Sequence, residues 1–430
     1  MIFPVRKIRF FAAAIAAALL CGSALATPAV SRQQTSPPQT QWPSVEDWAR
    51  DLDFLAAELP QRHKNLFAKV SAADFRAAVL DFKAALPNLA QDEIVVRLLK
   101  LVASVGDSHT QVGYQNQDGA AVPLMIYWFD DGLWVRNTIA HYYELLHGRL
   151  TAVDGRPIED VAADLAGLIP HENDAQVRNQ VPNFLTDPFV LHGLKLIAAP
   201  DAARFTVRDS AGAEHSAELR AIPRAGAPKW LIDLNAQSAS QLYLKNARQY
   251  YWYEIVAEAK TLFFQYNSCQ EIPGHPFAKF VRDMFAAADA GGVERVVVDL
   301  RLNGGGNSAV FRPFVNEIKA RPSFNRRGRL FVLIGRRTFS SALLNAVEMK
   351  KETAALFAGE PTGGKPNHFG EIRSFQLPKS RLSVSYSTKY FQEVDGDPAS
   401  LEPDLRIQVN YADRRAGRDP VLAAVLAYEK

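Results

Sequence analysis

The run Val296-Val-Val-Asp-Leu-Arg-Leu-Asn-Gly-Gly-Gly-Asn307 constrains this chain more than any other stretch. Unbroken β-branched residues describe a buried strand, and that strand ends in Asp-Leu-Arg and a glycine turn. Three glycines let the backbone approach a ligand closely and present bare N–H groups. Such a nest suits a phosphate or a developing oxyanion. The phosphate reading is weak, because neither Gly-Lys-Ser/Thr nor GxGxxG spacing is present. Taken alone, the turn could also be an ordinary tight turn.

The surroundings of this strand alternate between strand-like and helix-like segments. Leu262 to Tyr266, Val296 to Leu300, Leu330 to Ile334, Ala355 to Ala358 and Leu382 to Ser385 read as strands, and Phe277 to Ala288 and Ser341 to Lys350 as helices. Alternation of this kind predicts an α/β sheet covered by helices from about Trp230 onward. From Ser44 to about Val105 the pattern is helical instead. Ser44 with Asp47 and Ser71 with Asp74 mark helix starts, and Trp48, Leu52, Leu55 and Leu59 form one apolar stripe. Between them, Gly113 to Pro223 is β-rich: a hairpin around Asp130-Asp131-Gly132, a helix from Ile158 to Leu168, and a hairpin around Asp209 to Gly212.

Two further runs carry candidate chemistry. In Leu330-Phe-Val-Leu-Ile-Gly-Arg-Arg-Thr-Phe-Ser-Ser-Ala342 a strand leads into a helix through Ser340. A serine at such a junction sits where a helix N-terminus stabilises negative charge, and the next N–H is placed to join an oxyanion hole. The plain alternative is that Ser340 only caps the helix. The third run, Gly359-Glu-Pro-Thr-Gly-Gly-Lys365, is a second glycine-rich loop.

In order and spacing, the three runs resemble the tail-specific (carboxyl-terminal processing) serine peptidase superfamily over about Leu262 to Val409. That family has a D-L-R-x-N-x-G-G strand end, a T-x-S-S/A turn and then G-E-x-T-x-G-K. The resemblance implies a crotonase/ClpP-like catalytic domain with Ser340 as nucleophile and an oxyanion hole from the N–H groups of Gly305 or Gly306 and of Ser341. Gly148-Arg-Leu-Thr-Ala-Val-Asp-Gly-Arg-Pro-Ile-Glu-Asp-Val161 resembles the PDZ-like modules of these peptidases, although the helical insert around Asn173 to Leu191 is unusual for one.

The resemblance leaves two candidate bases. Lys365 occupies the lysine position of the G-K loop, and a lysine must lose water to act as a base at neutral pH. Val105-Gly-Asp-Ser-His-Thr110 resembles the Ser-His motif of the tricorn-core branch, which makes His109 the base and Ser108 its hydrogen-bonding support. A histidine titrates near neutrality and needs no large shift, so His109 is preferred. For the acid that orients it, counting back from Asp404 gives Asp397, where the branch has glutamate; Glu393 is the rival, and a solvated acidic loop is the plain alternative. Asp299 and Arg301 are assigned to fixing the glycine turn. Asp107-Ser-His109 lacks a metal-binding pattern, so neither a metal nor a cofactor is expected.

Composition bounds the rest. The chain has 430 residues and a formal charge of +3 on 49 basic and 46 acidic residues, which gives no reason to expect nucleic acid. Residues 1–26 read as a secretory signal: Arg6, Lys7 and Arg9, an apolar run from Phe10 to Leu20, and Ala24-Leu25-Ala26. The run is short for a spanning helix, and Leu20 disfavours a lipid anchor on Cys21. The expected organisation is a signal (1–26), a flexible lead (27–43), a helical segment (44–112), a PDZ-like module (113–225) and an α/β domain (226–430). A periplasmic or secreted enzyme acting on peptides or unfolded proteins follows, with no integral membrane segment after signal removal. Cys269 is then the sole thiol, expected to be structural and partly buried. Two other functions remain open: a binding protein that kept the scaffold, and a hydrolase of a non-peptide ester or amide.

Overall fold

A computed structural model describes residues 42–114, 119–223, 228–233 and 241–429. The signal and nearly all of the lead lie outside them. The first helices form where the capping pattern places them. Ser44 accepts the Asp47 N–H at 3.2 Å and opens Val45–Arg62; Ser71 accepts the Asp74 N–H at 3.0 Å and opens Ala72–Ala85. A third helix, Gln91–Ala103, follows. Trp48, Leu52, Leu55 and Leu59 are all buried, as the stripe predicts, in one core shared with the β-rich middle of the chain.

That middle region is a six-stranded sheet. Its strands run in the order Leu124–Phe129, Gly132–Thr138, Arg149–Val153, Ala202–Arg208 and Glu214–Arg220, with Arg156–Pro157 paired beside the third. Ile158–Ala166 is helical, and the insert forms two helices, Asp174–Phe184 and Pro188–Gly193.

The C-terminal half holds a second six-stranded sheet in the order Tyr251–Val256, Thr261–Tyr266, Arg295–Asp299, Leu330–Ile334, Leu356–Gly359 and Leu405–Arg406. Its first pair is antiparallel and the rest are parallel. Both faces are covered. Phe277–Ala290, Arg312–Lys319 and Ser341–Glu352 pack on one, and Pro420–Leu426 with Phe263, Val297, Phe331 and Leu333 forms the core of the other. A mixed α/β chain with several sheets is therefore correct.

The site depends on a third, small sheet. Gln111–Gly113 pairs antiparallel with Ser383–Phe391, Gln111 opposite Ser385, and Ser383–Phe391 pairs in turn with His368–Gln376. Ser385 Oγ donates to the His109 carbonyl at 3.0 Å, and the Lys64 N–H donates to the Ser387 carbonyl at 2.9 Å. These bonds carry the Asp107–Thr110 turn from the N-terminal helices to the C-terminal hairpin. Among the described residues no helix is long and apolar enough to cross a membrane.

Candidate active site

Parallel strands expose their carboxyl ends on one edge of a sheet, and ligands collect there. On that edge the Arg295–Asp299 strand delivers the glycine turn and Leu330–Ile334 delivers Ser340. Asn303 builds the first turn: its Nδ2 donates to the Tyr266 carbonyl at 2.9 Å and its Oδ1 accepts the Gly305 N–H at 2.9 Å. Thr338 ties the second turn to the first, donating to the Leu300 carbonyl at 2.9 Å and accepting the Gly335 N–H at 3.1 Å. Asp299 and Arg301 pair with each other at 2.6 Å, and the same guanidinium also holds Asp419 at 2.7 Å, pinning the C-terminal helix.

Ser340 stands between strand and helix at φ 52° and ψ −128°, a backbone conformation that costs an L-residue on the order of 1–3 kcal/mol. A mere cap would be extended with its oxygen on an N–H; the Ser340 side chain makes no capping bond. The glycine turn lies directly against it. A Cβ on Gly305 would fall 2.8 Å from Ser340 Cβ and 3.0 Å from the Ser341 nitrogen, so this close approach requires glycine.

Two N–H groups converge beside Ser340. Gly306 forms a parallel bridge with Cys269 that uses the Gly305 carbonyl (3.0 Å) and the Asn307 N–H (2.7 Å). The Gly306 peptide groups therefore face the other way, where its carbonyl accepts Ser341 Oγ at 2.7 Å. Gly306 N–H and Ser341 N–H have no acceptor among the described residues. Of the two glycines expected at this position, Gly305 drops out, because Asn303 already holds its N–H.

His109 arrives from the opposite side. Its ring stacks on Phe339 at 4.5 Å between centroids and on His368 at 5.5 Å. It is 2% exposed, and neither ring nitrogen has a hydrogen-bond partner. Burial lowers its pKa to about 4, against the attraction of Asp107 and with the help of His368. The Phe369 carbonyl favours the charged form but makes no hydrogen bond of good geometry. No hydrogen bond joins His109 to Ser340, so the two are neighbours through Phe339 and not yet a proton-transfer pair.

Three expectations need correction. Asp397 does not orient His109: its carboxylate holds the Lys365 ammonium. Glu393 does not either, being turned to Lys351 at 3.3 Å. Ser108 does not support His109; its hydroxyl donates to Glu172 at 2.9 Å. Lys365, with its side chain 13% exposed, pairs its ammonium with Asp397, and no hydrogen bond joins it to Ser340.

The acid that does lie near His109 is Asp107, with Oδ1 3.9 Å from Nδ1. It is buried and held by four donors: His63 Nε2 at 2.9 Å, Thr110 Oγ1 at 2.5 Å, Ser387 Oγ at 2.6 Å and the His109 N–H at 3.0 Å. Burial raises its pKa, but these bonds outweigh it and the net shift is downward, so the carboxylate stays ionised. Two of these donors come from remote sequence. Only the acidic residue two positions before His109 signalled Asp107, and nothing signalled His63 or Ser387.

Glu172 is the other missed acid. Burial raises its pKa to about 7, against the hydrogen bond from Ser108. A carboxyl whose folded pKa lies above its unfolded value contributes stability that is present below about pH 4.5 and lost as pH rises through about 7. Glu172→Gln should therefore be more stable than the parent at alkaline pH, by on the order of 1–3 kcal/mol, and near parity in acid. Urea titrations at both pH values check this; equal curves at alkaline pH would show an unperturbed carboxyl.

Cys269 is fully buried, deeper than the partly buried thiol expected, and burial pushes its pKa up to about 12. Its sulfur faces Asn303 Oδ1 and Asn345 Oδ1 at 3.6 and 3.4 Å. In the folded protein it should resist a thiol reagent and react only after unfolding. Fast modification under native conditions would contradict this packing.

The fold has known counterparts. Mature CPAF complexed with lactacystin matches with a TM-score of 0.60 at 14% identity, covering 87% of this chain and 96% of that one. Mature CPAF alone gives 0.59 at 14% identity, covering 89% and 98%. In fold, this chain is similar to CPAF. The tricorn protease is a looser match, with a TM-score of 0.41 at 11% identity, covering 89% of this chain and 36% of that one. No family model matches the sequence, and no curated protein does.

Proposed function

We propose that the protein is a serine peptidase of the tail-specific superfamily, acting through an acyl-enzyme on Ser340. The observation that carries this reading is the turn itself: a strained, uncapped serine packed against Gly305, with the N–H groups of Gly306 and Ser341 unclaimed beside it. The motif order and the CPAF-like fold support it. Ser340 Oγ attacks a peptide carbonyl and passes its proton to His109. The Gly306 and Ser341 N–H groups hold the oxyanion, and His109 returns the proton to the departing amine. Water then releases the acyl group by the same route. Asp107 replaces Asp397 as the acid that stabilises the imidazolium. His109 must first turn toward Ser340, a tightening that catalytic bonds often need on substrate binding. Lys365 is the rival base if it leaves Asp397.

The C-terminal sheet with its helices is read as the crotonase/ClpP-like domain, and the β-rich middle as a PDZ-like module that receives a peptide strand. Residues 1–26 are read as a signal that sends the enzyme to the periplasm or outside the cell. The unpartnered His109 nitrogens favour one second reading, a scaffold kept for binding.

Intact mass spectrometry of an acid-quenched mixture with an unstructured protein tests the mechanism. A covalent acyl adduct on the wild type, absent from Ser340→Ala, is expected alongside cleavage. Cleavage of a p-nitrophenyl ester without any attack on protein would point to a non-peptide substrate. The absence of both adduct and cleavage would leave the binding reading.

A further inference from the structure

A cavity of about 150 Å³ opens beside the carboxyl ends of the Arg295–Asp299 and Leu330–Ile334 strands. Six arginines line it; three are neutralised and Arg337 is exposed to water. Arg301 lies on Asp299 and Asp419, Arg336 on Glu360, and Arg418 on Asp413. Arg136 and Arg414 are different. Neither forms an ion pair or a side-chain hydrogen bond among the described residues, and Arg414 is 7% exposed with Nη1 unpartnered. Arg136 only lies over the Tyr127 ring, 5.8 Å from its centroid.

Both guanidinium groups line the same cavity, so their like charges repel. Burial and then Arg414 lower the pKa of Arg136, and only tyrosines act in the opposite direction. A guanidinium does not discard its proton in a protein, so this charge cannot be relieved by neutralisation. Arg414 is buried without a partner, which is costly, and a second, half-buried guanidinium on the same cavity adds to that cost. The cavity is also lined by Tyr127, Tyr243 and Gln241, whose buried Oε1 lacks a donor, and by the carboxylates Glu360 and Asp419, which are held on Arg336 and Arg301. The volume equals roughly five waters, enough for one oxyanion with a short extension.

We propose that Arg136 and Arg414 form a binding site for a single oxyanion, either a carboxylate or a phosphate, with both guanidinium groups donating to its oxygens. The site is separate from the Ser340 turn and stands whether or not that serine hydrolyses peptides. The two sources of the anion are a free inorganic ion and the C-terminal carboxylate of a peptide.

Calorimetric titration of full-length Ser340→Ala distinguishes them, because nothing is turned over. The probes are inorganic phosphate, N-acetyl-trialanine and its C-terminal amide, at matched ionic strength in chloride. Phosphate binding assigns a free-ion site. Binding of the acid but not the amide assigns a terminal-carboxylate site. In either case Arg136→Gln and Arg414→Gln should each weaken binding by about tenfold or more. Failure of both phosphate and acid to bind, or binding that both variants retain, overturns the proposal. If Arg414→Gln does not fold, Arg136→Gln decides alone. In chloride buffer its melting midpoint should equal or exceed the parent's, since it removes a repulsion. A clear drop would reveal a structural partner for Arg136 and also overturn the proposal.

Discussion

Ser340→Ala should lose hydrolysis of an unstructured protein by about 10⁴-fold or more while melting close to the parent temperature. The nucleophile has no replacement, because Ser341 donates its hydroxyl to the Gly306 carbonyl and begins the helix. Ser340→Gly separates strain from chemistry. Glycine adopts φ 52° freely, so this variant should be as inactive as Ser340→Ala but more stable by about 1 kcal/mol. Turnover and denaturant titrations of the three proteins provide the comparison. A Ser340→Ala enzyme with near-parental turnover would move the nucleophile elsewhere, with Ser341 the next to test.

His109→Gln should cost about 10³-fold or more in turnover, and Lys365→Ala less than about tenfold. The reverse ranking would place the base on the lysine. The pH dependence adds a second check. A base must be neutral, and burial lowers the pKa of His109 to about 4. The rising limb of kcat/KM should therefore lie well below the range of free histidine, unless substrate turns the ring toward water. The same depression has a stability consequence. The folded state binds fewer protons than the unfolded chain, so the contribution is present above about pH 6.5 and is lost as pH falls toward 4. His109→Gln should lessen this acid lability, as seen in melting temperatures measured down to about pH 4.

Features set by local rules were readable in the sequence. The caps at Ser44 and Ser71, the buried stripes and the strand-to-helix turn at Ser340 depend on residues a few positions apart, and they stand where the pattern places them. The strands Tyr251–Val256, His368–Gln376 and Leu405–Arg406 escaped notice. The middle one exposes a run of consecutive residues and is held by its partner strand more than by a buried face, so it lacks alternation. The electrostatic partners were the least readable. Asp397 faces Lys365 instead of His109, and Asp107 gathers His63 and Ser387 from either end of the chain. The meeting of Asp107 with Ser387 is set by the pairing of Gln111–Gly113 with Ser383–Phe391, a register that no local spacing records. Glu172 follows the same rule: it precedes the Asn173 cap of the insert, and only the docking of that insert buries it.

The central claim is that Ser340 is an activated nucleophile beside its own oxyanion hole. Labelling the folded protein with a fluorophosphonate and mapping the modified peptide tests it most directly. The expected result is one adduct per chain on Ser340, absent from Ser340→Ala and strongly slowed in His109→Gln. An adduct on another residue, or a protein that cleaves substrate yet takes no label, would contradict the assignment.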